Sequence, residues 1–107
     1  MTFYVKQNDT SPAMLATLQD ANGTAIDVTG ASVRFHMRTN GGTSTVVDAA
    51  ATIVTAASGI VRYDWDAADT ASIGSYQAEF EVTYADASIE TFPNDGYIRV
   101  EIKDDIA

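Results

Sequence analysis

An all-β sandwich of antiparallel strands, about seven to nine of them, is what this sequence predicts. Three observations carry the prediction. Apolar side chains recur at every second residue through most of the chain, not at a helical spacing. Turn-forming residues interrupt that alternation roughly every 8 to 12 residues. The length, 107 residues, suits one hydrophobic core and not two, so residues 1–107 are read as a single domain.

The first run, Thr2 to Gln7, puts Phe3 and Val5 on one face and Tyr4 and Lys6 on the other. The next sets Met14, Ala16 and Leu18 against Leu15 and Thr17. Asp20-Ala21-Asn22-Gly23 is a turn, because Asn-Gly tolerates positive φ. A second turn follows near Gly30. The cleanest strand comes next: Val33, Phe35 and Met37 face inward, with Ser32, Arg34, His36 and Arg38 on a wet face. Asn40 to Ser44 makes a flexible tip. The alanines of Thr45 to Gly59 would allow a helix, but the Thr and Val content favours two short strands.

Val61, Tyr63 and Trp65 then alternate with Ile60, Arg62 and Asp64. Residues 67 to 75 form a helical turn or tight bend. The longest alternation follows, with Tyr76, Ala78, Phe80, Val82 and Tyr84 opposite Gln77, Glu79, Glu81 and Thr83. Pro93 to Gly96 makes a detour before a last run, Ile98, Val100 and Ile102 against Tyr97, Arg99 and Glu101. Tyr76, just after the bend at Ser72 to Gly74, sits where immunoglobulin-type sandwiches carry a corner tyrosine that bonds back to upstream backbone. The sandwich is therefore read as immunoglobulin-like.

Composition excludes several functions. The formal net charge of -9 repels phosphate backbones and anionic membrane surfaces, so neither nucleic acid nor membrane is an expected partner. No apolar stretch is long enough to span a bilayer. No cysteine is present, which removes disulfides and thiolate metal sites. The opening residues lack a basic segment ahead of an apolar run, so the chain is expected to be made and assembled in the cytoplasm.

Catalytic residue types are scarce. His36 is the sole histidine and alternates with core residues, so it is read as a surface residue between Arg34 and Arg38. Glu79 and Glu81 share a strand face at about 7 Å, a separation paired carboxylates can use. The same spacing is how any wet strand spreads charge, and pairing with Arg62 or Arg99 across the sheet is expected instead. Asp64, Asp66 and Asp69 are near enough in sequence to surround a calcium ion, but the calcium-loop pattern is missing. No catalytic, cofactor or metal residue is assigned, and the chain is read as no enzyme. Trp65, Tyr63 and Tyr97 would provide a stacking platform if the domain were a carbohydrate-binding module, the alternative reading.

Several blocks taken together resemble a known family. They are Asn8-Asp9-Thr10 with Pro12, Asp27-Val28-Thr29-Gly30-Ala31, Val33 to Arg38, Gly59 to Trp65, Gly74 to Val82, and Thr91-Phe92-Pro93 with Gly96-Tyr97. They resemble the N-terminal immunoglobulin-like domain of phage baseplate upper proteins and small related proteins of tailed-phage and prophage tail regions. The resemblance implies a structural part of a phage tail, neck or baseplate that works by assembly, with other virion proteins and copies of itself as partners. Such a domain is often followed by a fibre segment that is not encoded here, so a stand-alone accessory subunit is expected. Sheet edges and loop tips would then be the working surfaces. Phe3, Tyr4 and Val5 at one end of the chain, and Tyr97 and Arg99 at the other, are the expected interaction edges.

Overall fold

The computed structural model describes residues 2–106 and contains nine strands. They are β1 (Thr2–Lys6), β2 (Met14–Thr17), β3 (Ser32–Thr39), β4 (Thr45–Ala50), β5 (Thr52–Thr55), β6 (Ile60–Tyr63), β7 (Gly74–Thr83), β8 (Ile89–Phe92) and β9 (Ile98–Lys103). Short 3-10 turns occupy Ala56–Ser58 and Ala67–Thr70. The large sheet has the order β1-β9-β7-β3-β4, with β8 also on β7; the small sheet has the order β2-β6-β5. In immunoglobulin lettering the small layer is B-E-D and the large one G-F-C-C′, the variable-type arrangement.

Every alternating run puts its apolar set into the gap between the layers. Val33, Phe35 and Met37 from β3, Ala78, Phe80 and Val82 from β7, and Val61 and Tyr63 from β6 are all buried. Phe35 is the hub: it stacks on Tyr63 across the gap at 4.3 Å between ring centroids and meets Trp65 edge-on at 5.5 Å. Phe80 and Phe3 extend this cluster, at 5.2 Å from Phe35 and 5.7 Å from Trp65 respectively. The corner tyrosine is in place, with the Tyr76 hydroxyl donating to the Ser72 carbonyl at 2.6 Å. Ala78, two residues on, stands where the second cysteine of antibody domains would be, so packing alone joins the layers.

Gly59 shows how tightly the small sheet is closed. Its φ is +66°, and a Cβ there would lie 2.5 Å from the Ile26 carbonyl oxygen. Only glycine fits.

Three features differ from the sequence expectation. The strands are not all antiparallel, because β1 runs parallel to β9. A parallel pair needs a long connection, and almost the whole chain supplies it. The Ala-rich stretch does form two strands, but β4 lies in the large sheet and β5 in the small one, with the crossing at Ala51. The final hairpin contains an additional strand. β7 pairs with β8 through Phe80–Thr83 and with β9 through Gly74–Ala78, so β8 and β9 follow one another along one side of β7. Residues 93–97 are looped out between them, opposite Glu79.

Candidate functional site

The expected interaction residues separate into two places. Phe3, Tyr4 and Val5 lie on β1, which is a true edge of the large sheet. Tyr97 and Arg99 belong to the other flanking run, but β9 is an interior strand, hydrogen-bonded to β1 on one side and β7 on the other. Its expected role as a backbone edge is thereby corrected. The last strand in the chain is not the last in the sheet, because the first strand covers it.

At β1 the side chains and the backbone do different work. Val5 is buried and Phe3 packs on Trp65, so both anchor the strand, whereas Tyr4 is 64% exposed. The Gln7 N–H donates to the Lys103 carbonyl at 2.8 Å, which fixes the alternation. Phe3, Val5 and Gln7 direct their backbone groups at β9, and Thr2, Tyr4 and Lys6 direct theirs outward. The Lys6 carbonyl is taken by the Asp9 N–H. The Tyr4 N–H and C=O and the Lys6 N–H face away from the sheet. Beside them lies a depression of about 220 Å³ lined by Tyr4, Lys6, Pro12 and Lys103.

Tyr97 and Arg99 contribute to the outer face of the large sheet. Strand register places Arg99, Gln77 and Arg38 in one row across β9, β7 and β3. Arg38 Nε donates to Gln77 Oε1 at 3.0 Å, and Nη2 donates to the Tyr97 hydroxyl at 3.0 Å. The guanidinium carbon is 5.1 Å from the Tyr97 ring centroid, a cation–π distance. Neither arginine is in an ion pair among the described residues. Arg and Tyr together are the residue types that most often anchor protein interfaces. Arg38 escaped the sequence reading because its partner lies 59 residues away on a strand whose position the alternation does not reveal.

The next row holds His36. Its ring does not stand simply between arginines; Nε2 is 3.2 Å from Asp48 and Nδ1 is 3.8 Å from Glu79. Asp48 also accepts from Arg34 Nε at 2.9 Å, and this contact holds its carboxyl below the usual range. A cleft of about 290 Å³ opens here, lined by His36, Arg38, Thr45, Asp48, Glu79 and Tyr97. Glu79 therefore pairs with His36. The expected Arg62 lies in the other sheet, bound to Asp64 at 3.0 Å, and Arg99 sits opposite Gln77.

The acidic trio is structural. Asp69 accepts from the Tyr63 hydroxyl and, at 2.9 Å, from the Asp66 N–H, while Asp66 caps Ala68. Burial, then this bond to Asp69, pushes the Tyr63 phenol up. Among the described residues no group of three or more His, Cys, Asp or Glu side chains is arranged to hold a metal ion. The sugar platform fails for a plain reason: Trp65 and Tyr63 are 5% and 4% exposed, leaving Tyr97 alone at the surface.

The fold and its surfaces define an immunoglobulin-like sandwich whose distinctive features are open strand margins and an arginine–tyrosine face. Residues 2–103 match the BppU N-terminal domain family, and the chain belongs to that family. Comparison with curated proteins gives no match. Family membership makes it a phage baseplate-associated structural protein, a component of the virion tail.

Proposed function

We propose that the domain is a non-enzymatic assembly module, joining neighbours in the tail or baseplate through the β1 edge and the Arg38–Tyr97–Arg99 face. Copies of the chain sit side by side in the particle, and assembly takes place in the host cytoplasm. The outward Tyr4 N–H and C=O and the outward Lys6 N–H carry this reading, because an edge strand offers a ready hydrogen-bonding template to another chain. Exposed Tyr4 on β1 and exposed Tyr97 on the outer face of the sheet supply rigid aromatic contact.

The test is a proline at position 4. Tyr4 directs its N–H outward, so Tyr4→Pro removes a docking donor without cutting a bond to β9. Light scattering after size exclusion, with the chain mixed with the other baseplate proteins, should show a folded chain that no longer joins the assembly. Normal incorporation of Tyr4→Pro would reject the β1 edge.

A further inference from the structure

The small sheet is one strand short of its architecture. The immunoglobulin sheet in this position has the order A-B-E-D; here it is β2-β6-β5, with no strand beside β2 among the described residues. The N-terminal strand, which would take the A position, pairs with β9 in the other layer. The orientation of the exposed backbone follows from one bond: the Leu18 N–H donates to the Gly59 carbonyl at 2.8 Å, on the β6 side. By alternation Met14 and Ala16 also face β6, and the N–H and C=O groups of Leu15 and Thr17 face out.

The β4, β5 and β8 margins are protected against strand addition. Register shifts interrupt the β3–β4 and β5–β6 pairings. β8 carries Glu90 and runs into Pro93. β1 is the other open margin, and it ends in Lys6. β2, Met-Leu-Ala-Thr, has no charge, no proline and no register shift, and its Leu15 is 57% exposed. A groove of about 270 Å³ lies alongside, lined by Thr17 and Leu18 from this side and by Phe92, Pro93 and Ile98 from the other. Asp20 is the one charged residue in that lining.

We propose that the β2 edge accepts an extended segment of a different protein, completing the four-stranded sheet. The segment is apolar at alternate residues, because those side chains would enter a groove walled by Phe92, Pro93 and Ile98. It is basic, with Lys or Arg at the end beside Asp20, because the chain's net charge of -9 disfavours an acidic strand. A second copy of this chain is a poor occupant. Its other open strand, β1, has Phe3 and Val5 turned into its own core, so it has no apolar row left to enter the groove. The proposal does not depend on β1 being a docking edge.

The full chain, nitrogen-15 labelled, would be titrated with the synthetic peptide lysyl-valyl-threonyl-valyl-threonyl-valyl-lysine and with its glutamate-ended counterpart. The lysine peptide should slow amide exchange at Leu15 and Thr17 by about tenfold or more at saturation, and the glutamate peptide should bind several-fold more weakly. Leu15→Pro should abolish binding by deleting an outward N–H; if that variant does not fold, exchange in the unsubstituted chain decides alone. No slowing at Leu15 and Thr17 up to about 1 mM peptide, or slowing at Tyr4 and Lys6 instead, would overturn the proposal. Peptide binding that survives in Tyr4→Pro would separate this edge from β1.

Discussion

The two flanks of the sandwich are built differently. On one side β4 crosses directly to β5 through the single residue Ala51, and both strands carry a register shift. On the other, β1 and β2 are joined by residues 7–13, and both keep an uninterrupted register. Bulged strands twist and resist added partners, whereas regular strands invite them. A margin can therefore be closed by geometry alone, without burying it. Both flanks expose apolar side chains, Tyr4 and Leu15 on one and Val46 and Val54 on the other, so the regular backbone is what favours the β1–β2 flank as the proposed docking side.

The largest effect should come from the core that both flanks share. Phe80→Ala removes a fully buried ring against Phe35 and should cost about 3–5 kcal/mol in urea unfolding. Next come adjacent prolines on β1. Val5→Pro deletes an N–H directed at β9 and should cost about 1–3 kcal/mol. Tyr4→Pro, one residue away, should cost about 0.5 kcal/mol or less, because its N–H faces solvent. Equal losses for the two would break the assignment of inward and outward backbone groups.

Tyr76→Phe keeps the ring but drops the bond to the Ser72 carbonyl, and should cost about 0.5–1.5 kcal/mol. The smallest effect at neutral pH concerns Tyr63. Burial and the bond to Asp69 raise its pKa above the ordinary value of 10.0, so the folded state holds that proton more tightly than the unfolded chain. The resulting stability is fully present below pH 10 and is lost as pH rises through the folded-state value. Tyr84 behaves likewise, pushed up to about 12 by burial and by its bond to Glu90. Alkaline unfolding curves should be shallower for Tyr63→Phe than for the unsubstituted chain.

Much of the fold was legible because period-two alternation reports which face a residue takes. Val33, Phe35, Met37, Val61, Tyr63 and Trp65 all point inward as their spacing predicts, and Tyr76 makes the corner bond. Alternation does not report which strand lies next door. The parallel β1–β9 pair, the separate sheets of β4 and β5, and the meeting of Arg38 with Tyr97 depend on topology, which no local pattern encodes. Strand β8 was obscured because Tyr84 to Phe92 mixes turn residues with only four strand residues. Of the proposed docking surface, Phe3, Tyr4 and Val5 are suggested by their position in the chain, whereas Leu15 and Thr17 give no signal until the sheet order is known.

Amide exchange on the chain inside the assembled baseplate, compared with the free chain, tests the account most directly. Protection should rise at Tyr4 and Lys6, while the outward amides of β4 and β5 exchange as they do in isolation. Protection gained on the β4–β5 flank, with Tyr4 and Lys6 unchanged, would contradict it.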